Sequence, residues 1–458
     1  MHVKQLDWLN RMQIQLPNEV NFIITTLETA GHEAYAVGGC VRDSIMGRIP
    51  NDWDITTSAE PEEVKALFRR TIDTGLQHGT VTVMIDKVGY EVTTYRIDGD
   101  YEDSRHPKEV TFTKSLEEDL KRRDFTVNAM AYNDRVGLVD IFGGIEDMQK
   151  GIIRCVGNAI ERFTEDALRI MRAVRFSAQF GYVIEEETRN AISILAPNLK
   201  NISAERIQVE LVKLLVSDHP DYLRVAYETG ITKQFMPEFD LCMETEQNNP
   251  HHCYSVGEHI LHSLSFVPAD KVLRLTMLFH DIAKPLCKKV HEDGYDHFYG
   301  HPEKSAEIST QILRRLKFDN DTIKKTAQLV RYHDWAMSYP MDVSEKTVRK
   351  SIARIGEDAF PEMFLVNYAD IMAQSNTFKE KKLKKNEYLK EVYQGIVERK
   401  ECLALKDLSV TGSDLIAAGM KPGKQIGEVL KKMLEDVIET PEYNDKEYLL
   451  KNIQNYLG

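Results

Sequence analysis

A small α/β head followed by an all-helical remainder is the fold that this 458-residue chain predicts. Two observations predict it. In the first third, the short β-branched and aromatic runs EAYAVGG (33–39), TVTVMI (80–85), YEVTTYR (90–96) and VTF (110–112) mix with helical stretches, separated by glycine and charged turns. From about Asp147 onward, apolar residues recur at helical spacing, as in EDALRIMRAVRFSAQF, AERIQVELVKLL and DKVLRLTMLFHDIAK. The length is about three times that of a usual domain, so two to four domains are expected. The polar stretch METEQNNPHH (243–252) reads as a linker, and the lysine-rich QSNTFKEKKLKKNE (374–387) as a second boundary.

Composition sets the class. Hydrophobic residues at 42% and charged residues at 29% suit a globular protein that buries real cores, which excludes disorder as the main state. A net charge of -13 weighs, at face value, against a large polyanionic partner. The six cysteines are scattered with no CxxC spacing, as expected of reduced thiols in the cytoplasm. The N-terminal MHVKQLDWLNRMQIQLP lacks the apolar core of a signal peptide, and no run of about 18 apolar residues occurs. Neither export by that route nor a membrane-spanning segment is expected.

The first dense motif is VGGCVRDSIMGRIPNDWDITT (37–57). Gly38 and Gly39 carry no side chains, so backbone N–H groups there can approach phosphate oxygens, and Arg42 can add a charged contact. Asp52 and Asp54 alternate around Trp53, which on a strand puts both carboxylates on one face. Two such carboxylates repel, and a hard divalent cation relieves that cost; Mg²⁺ suits carboxylates combined with substrate phosphates. Glu91 is a candidate third carboxylate on the same sheet face. The alternative is a glycine turn beside a solvated acidic loop.

GGCVRD with DWD resembles the catalytic core of polymerase-β-type nucleotidyltransferases. The continuation is similar to the bacterial tRNA nucleotidyltransferase and poly(A) polymerase family (class II). The similarity is carried by DGDYEDSRHP (98–107), EEDLKRRDFTVNAMA (117–131), FGGIEDMQKGIIR (142–154), RFTEDALRIMRAVRF (162–176) and ISAERI (202–207), which span roughly residues 30–210. The resemblance implies an α+β nucleotidyltransferase head with a small mixed sheet at 1–145 and a helical neck at 146–245. It further implies that Asp52, Asp54 and Glu91 are catalytic, with Mg²⁺ on the aspartates. Gly38, Gly39, Arg42, Arg122, Arg123, Asp124, Asn128 and Glu165 would bind nucleotide, with Arg122, Arg123 and Asp124 on sugar and phosphates. The partners would be tRNA, CTP and ATP; the sequence leaves the oligomeric state open.

In EDALRIMRAVRF, Asp166, Arg169, Arg172 and Arg175 follow at intervals of three, on adjacent helical turns. The arginines suit a triphosphate, and Asp166 with Arg169 suits a base. Cytosine and adenine each present an amino donor beside a ring-nitrogen acceptor, which a carboxylate and a guanidinium match; uracil and guanine present a carbonyl beside an N–H. Each mismatch leaves buried polar groups unpaired, at a cost of ~1–3 kcal/mol. A surface helix laced with salt bridges is the alternative. Family members add CCA, CC alone, A alone, or poly(A). DGDYEDSRHP resembles a loop that CC-only members lack, and EDALRIMR lacks the proline of poly(A)-type members, so CCA addition is expected. A-only and poly(A) addition remain as alternatives.

A second motif is rich in histidine: His259 (with His251 and His252 nearby as alternatives whose spacing before HDIAK fits less well), His280-Asp281 in HDIAK, His301, and His333-Asp334. Such ligands can assemble a site for divalent first-row metals. With Lys284 it resembles the HD phosphohydrolase superfamily, which implies an HD-type helical domain at 246–375, a possible divalent metal, and hydrolysis of phosphoesters such as 2′,3′-cyclic phosphate. A metal-dependent phosphohydrolase with a vestigial head, and a pure RNA-binding protein, are the competing function classes. The segment 376–458 is expected to be a helical tail that binds tRNA, with Lys379, Lys381, Lys382, Lys384, Lys385, Lys421 and Lys424 as candidate phosphate contacts. Grouped lysines and arginines give a local positive field that whole-chain charge averages away, so the acidity does not exclude RNA.

Overall fold

A computed structural model describes residues 13–99, 110–292, 294–336 and 339–457. The N-terminal stretch through residue 12 and most of the DGDYEDSRHP motif lie outside the described residues. The chain divides into two compact units, Met1–Pro237 and Glu238–Gly458.

The first unit opens with helix α1 (Asn18–Thr29) and a mixed seven-stranded sheet. Its strands are β1 (Ala34–Val37), β2 (Ile55–Thr57), β3 (Thr71–Gly75), β4 (Thr80–Ile85), β5 (Val88–Thr94), β8 (Ala131–Asn133) and β9 (Gly137–Val139), in the order β3-β4-β5-β2-β1-β8-β9. Strands β6 (Arg96–Asp98) and β7 (Val110–Phe112) form a separate ladder, so YEVTTYR breaks at Tyr95 rather than continuing as one strand. Alternation along β1 sorts the core. Ala34 and Ala36 belong to one cluster with Val20, Ile23, Ile24 and Leu27 of α1, while Tyr35 and Val37 join Tyr95, Leu120 and Ala131 in another. Between β4 and β5, Asp86 and Lys87 both take positive φ, the two-residue turn whose twist matches an antiparallel hairpin.

Helices α2 (Gly39–Ile45), α3 (Pro61–Leu67) and α4 (Leu116–Lys121) fill the head, and α5 (Gly144–Lys150) begins the helical part. Then come α6 (Ala159–Glu165), α7 (Leu168–Phe180), α8 (Glu186–Leu195) and α9 (Ala204–Leu215). Helix α7 buries Leu168, Ile170, Met171, Ala173 and Val174, and Gly181 ends it at φ +68°. One expectation needs correction: Asp52, Trp53 and Asp54 are not on a strand. They form the loop just before β2, which starts at Ile55.

The second unit is helical apart from a short ladder, with α10 (Val256–Leu264), α11 (Lys271–Phe279), α12 (His301–Arg315), α13 (Asn320–Tyr332), α14 (Glu345–Ile355), α15 (Phe360–Met372), α16 (Lys379–Glu398) and α17 (Lys424–Glu439). Side-chain caps start several of them: Asp270 accepts from the amides of Val272 and Leu273, and Ser344 accepts from that of Thr347. The stretch 243–252 is pinned rather than free, since the Thr245 carbonyl accepts from Val256 N–H and Asp296 accepts from Asn248 N–H. The lysine-rich stretch forms most of the first half of α16, which buries Asn386 and Leu389. Its inner lysines extend to carbonyls, Lys379 to Met372 at 3.1 Å and Lys385 to Ala336 at 2.6 Å. Val410, Leu415, Val429, Met433 and Leu449 make a distinct C-terminal core.

Candidate functional site

Three local constructions carry chemistry. The first is the loop before β2. Val37 N–H donates to the Asp54 carbonyl at 2.9 Å, tying the loop to the end of β1. Strands β2 and β5 run parallel with Ile55 opposite Val92, so one step back in register puts Asp54 beside Glu91. Burial raises the Asp54 carboxyl above its usual range; Arg123 opposes the shift and Asp52 adds to it. Burial also raises Glu91, with Asp54 and then Asp52 contributing. Three mutually repelling carboxylates with one nearby guanidinium form a donor set that fits a divalent cation.

Gly38 has a task of its own within the fold. Its N–H donates to the Met130 carbonyl at 3.0 Å. It has φ +80°, and a Cβ there would lie 3.0 Å from an Arg123 nitrogen, so both backbone angle and close approach call for glycine. Gly39 opens α2. Arg42 is buried, bonded to Asp43 and Asn128, with its guanidinium over the rings of Phe176 and Phe180.

The second construction is a cavity of about 250 Å³ lined by Arg122, Arg123, Asp124, Asp166, Arg169, Arg172 and Arg206 with Leu168. Its cations are held from behind. Asp119, wholly buried, lies 2.8 Å from Arg122 and 3.5 Å from Arg123 and accepts from the Thr56 hydroxyl at 3.0 Å. Burial alone would raise its pKa, but the two guanidiniums outweigh it and leave the carboxyl lowered. Asp124 accepts from Asn128 at 3.0 Å and from Arg172 at 2.8 Å. Burial opposes ionisation there too, and Arg172, Asn128 and Arg169 overcome it.

Helix α7 divides its arginines. Arg169 and Arg172 line the cavity, whereas Arg175 turns away to Glu210 on α9 at 2.7 Å and lies over the Phe176 ring. Glu165 sits between Arg162 at 2.5 Å and Arg169 at 2.7 Å. Asp166 pairs with Arg206 at 2.9 Å, a partner that the sequence motif did not single out. The other Arg206 terminal nitrogen is buried without a hydrogen-bond partner.

The third construction is in the second unit. Among the described residues, two triads bring ligand atoms within 4.8 Å of one another: His259, His280 and Asp370, and Asp281, His301 and His333. Each of the four histidines directs Nδ1 to a backbone carbonyl, of Ala373, Met277, Phe298 and Val330 respectively. That leaves every Nε2 facing inward, as metal ligation requires. Asp281 stands between the triads. Oδ1 is 3.3 Å from His301 and 3.6 Å from His333, and Oδ2 is 3.4 Å from both His259 and His280. Lys284 is 2.7 Å from Oδ2, yet neither oxygen accepts a hydrogen bond of good geometry. Burial opposes ionisation of Asp281, and Lys284 and His280 hold it well below the usual range. Burial likewise lowers His333, but Asp281 outweighs it and lifts His333 to about 9. The buried carboxylates thus demand positive charge, and the donor set fits one or two divalent cations.

Asp370, on α15, was not among the sequence candidates. The available signal was an acid on a mostly apolar helix, VNYADIMA. Asp334 belongs to neither triad; it is half-buried just beyond α13 and acts on His333 through its charge.

Three family models match the chain: "Poly A polymerase head domain" over 34–154, "Probable RNA and SrmB- binding site of polymerase A" over 181–243, and "tRNA nucleotidyltransferase domain 2 putative" over 299–453. His259, His280 and Asp281 lie outside those stretches, and His301, His333 and Asp370 inside the third. The chain is 38% identical to the CCA-adding enzyme of Leuconostoc mesenteroides, over 97% of this chain and 98% of that one. It is 54% identical to the CCA-adding enzyme of Lactiplantibacillus plantarum over 47% of this chain and 53% of that one. Among solved structures, the Bacillus stearothermophilus CCA-adding enzyme in complex with CTP matches with TM-score 0.71 and 29% identity, over 96% of this chain and 98% of that one. The Thermotoga maritima CCA-adding enzyme complexed with tRNA shares the fold, with TM-score 0.62 and 20% identity over 97% of each chain.

Proposed function

This chain belongs to the CCA-adding enzyme family, and we propose that it adds C, C and A to the 3′ end of tRNA from CTP and ATP, releasing pyrophosphate. The observation that carries the reading is the position of Arg123, which lines the guanidinium cavity while its charge acts on Asp54. Carboxylates and nucleotide pocket therefore adjoin. Asp52, Asp54 and Glu91 would hold divalent cation, Mg²⁺ on this reading, which when bound lowers the pKa of the attacking 3′-hydroxyl and steadies charge at the α-phosphate.

The remaining work is positioning. Asp119 aims Arg122 and Arg123 at the triphosphate. Asp124 and Arg172 form the wall that meets the ribose and phosphates. Asp166 accepts from the amino group of cytosine or adenine while Arg169 donates to the ring nitrogen, and Arg206 holds Asp166 in place. No covalent intermediate is needed. The four-part division at residues 145, 245 and 375 belongs to this reading, with the tail gripping tRNA, as does a cytoplasmic setting in which Cys40, Cys155, Cys242, Cys253, Cys287 and Cys402 stay unpaired. Among the described residues, no helix is long and apolar enough to cross a membrane.

Sequencing the products formed on a tRNA lacking its 3′ CCA tests the proposal. CTP alone should add two C residues, and both nucleotides together should complete CCA. Addition of A only to a tRNA already ending in CC would indicate an A-only enzyme. A long A tract from ATP alone would indicate a poly(A) polymerase.

A second reading concerns the second unit. Asp281, with two oxygens free of hydrogen bonds between inward-facing histidines, supports a metal-dependent phosphohydrolase site acting on 2′,3′-cyclic phosphate or related tRNA 3′ ends. Hydrolysis of a 2′,3′-cyclic mononucleotide should survive Asp52→Ala with Asp54→Ala and vanish with His280→Ala. Hydrolysis retained in His280→Ala would refute the site.

A further inference from the structure

The histidine cluster opens on a cavity of about 280 Å³, whose wall includes Asp281, His301, His333 and Asp370. Metal ligands alone do not tell a substrate where to sit. Two other wall residues are lysines, Lys284 and Lys382.

Lys284 is buried, 2.7 Å from Asp281 Oδ2 and 3.0 Å from the Gln247 side-chain oxygen. Lys382 comes from the first turn of α16, three residues after Lys379, and is half-buried. Its ammonium bonds to the Gln374 side-chain oxygen, and among the described residues no carboxylate lies within ion-pair distance of it. Gln374 in turn donates to Asp370 Oδ2 at 2.8 Å, and Asp370 Oδ1 is 2.9 Å from His259 Nε2. A continuous chain thus runs from a lysine of the tail helix to a ligand of the cluster. Its neighbour Lys384 instead faces solvent and pairs with Glu380 at 2.7 Å.

We propose that Lys382, together with Lys284, forms an oxyanion subsite of the histidine-cluster cavity, and that this subsite holds the terminal phosphate of a nucleotide or RNA end against the cluster. The inference rests on the phosphohydrolase reading and adds to it the anion-holding residues and a role for the tail helix. An ammonium with donors to spare, no carboxylate partner and a cavity of this size fits one phosphate group with a small attached moiety. Gln374 makes Lys382 a positioning residue for Asp370 as well, so anion binding and ligand orientation share one hydrogen-bond chain.

The test uses the full chain carrying Asp52→Asn and Asp54→Asn, so that the head carboxylates do not bind added Mn²⁺. Calorimetry measures Mn²⁺ binding first, then inorganic phosphate binding to the loaded protein. Lys382→Gln should weaken phosphate binding at least tenfold and leave Mn²⁺ stoichiometry unchanged, while Lys382→Arg and Lys384→Gln keep phosphate affinity within twofold of the parent. Repeating the titration with adenosine 5′-monophosphate and with a 3′-phosphorylated oligoribonucleotide assigns the source to whichever ligand loses more affinity in Lys382→Gln. Unchanged phosphate affinity in Lys382→Gln with Mn²⁺ bound overturns the subsite alone. Failure of the parent to bind Mn²⁺ overturns the phosphohydrolase reading and the subsite together.

Discussion

The two candidate metal-binding clusters of this chain are built in opposite ways. In the head, Asp52 and Asp54 sit on an exposed loop and Glu91 on a strand, and their charges act against one another. In the second unit, three histidines and two aspartates are buried and His301 is half-buried, with each imidazole fixed by a backbone carbonyl. The first set is open and incomplete without substrate phosphates, as expected where cation and nucleotide arrive together. The second is preorganised, its imidazoles already fixed around a small cavity, as expected of a site that keeps its metal.

The largest break in this comparison comes from the head. Replacing Asp52 and Asp54 with Ala should lower the rate of nucleotide addition by about 10³-fold or more, read in single-turnover assays, with the histidine cluster's Mn²⁺ binding unchanged. Equal loss of both properties would mean that the two sets are not independent. Next in size is Asp119→Asn. It leaves Arg122 and Arg123 without their buried counter-charge and should raise KM for CTP about tenfold, on the scale of ~1–3 kcal/mol for a lost charged hydrogen bond.

Arg206→Ala sharpens the reading of the base pocket. Freed of its 2.9 Å partner, Asp166 should orient less well, and the kcat/KM ratio for CTP over UTP should fall about fivefold to tenfold. A uniform fall for both nucleotides would make Arg206 merely structural. The smallest effect is on stability. Asp54 and Glu91 bind protons more tightly folded than unfolded, so their contribution is fully present below the ordinary carboxylate range and is lost as pH rises through their raised values. Without divalent cation, Asp54→Asn should therefore melt a few degrees higher than the parent at pH 7 and together with it near pH 4. Scanning fluorimetry at the two pH values reads the difference.

Much of the molecule was legible in the sequence because local pattern and tertiary role agree there. TVTVMI pairs as the β4 strand, and LRIMRAVRF forms a helix; Asp166, expected one turn before Arg169 on that helix, is instead extended in the break between α6 and α7, and it shares a cavity with Arg169 all the same. Legibility ended where a contact spans the chain. Asp119 carries no spacing signal of its own, yet from helix α4 it is buried against two arginines and Thr56 of β2. Arg206 reaches Asp166 from 40 residues away, and Asp370 meets His259 from more than a hundred. No spacing rule encodes such pairs. Glycine signalled backbone, but not the reason: Gly38 serves Arg123 and a left-handed turn. The lysine run read as a boundary because side-chain direction is invisible in sequence, and Lys379, Lys382 and Lys385 turn inward.

On this reading one chain carries two metal sites of different kinds, one preorganised and one completed by substrate. Elemental analysis of the Mn²⁺-loaded protein after desalting into metal-free buffer tests it most directly. The wild type and Asp52→Asn with Asp54→Asn should each retain one to two equivalents, and His280→Ala should lose that metal. Metal that leaves the wild type entirely, or that leaves with the head aspartates instead of with His280, would contradict it.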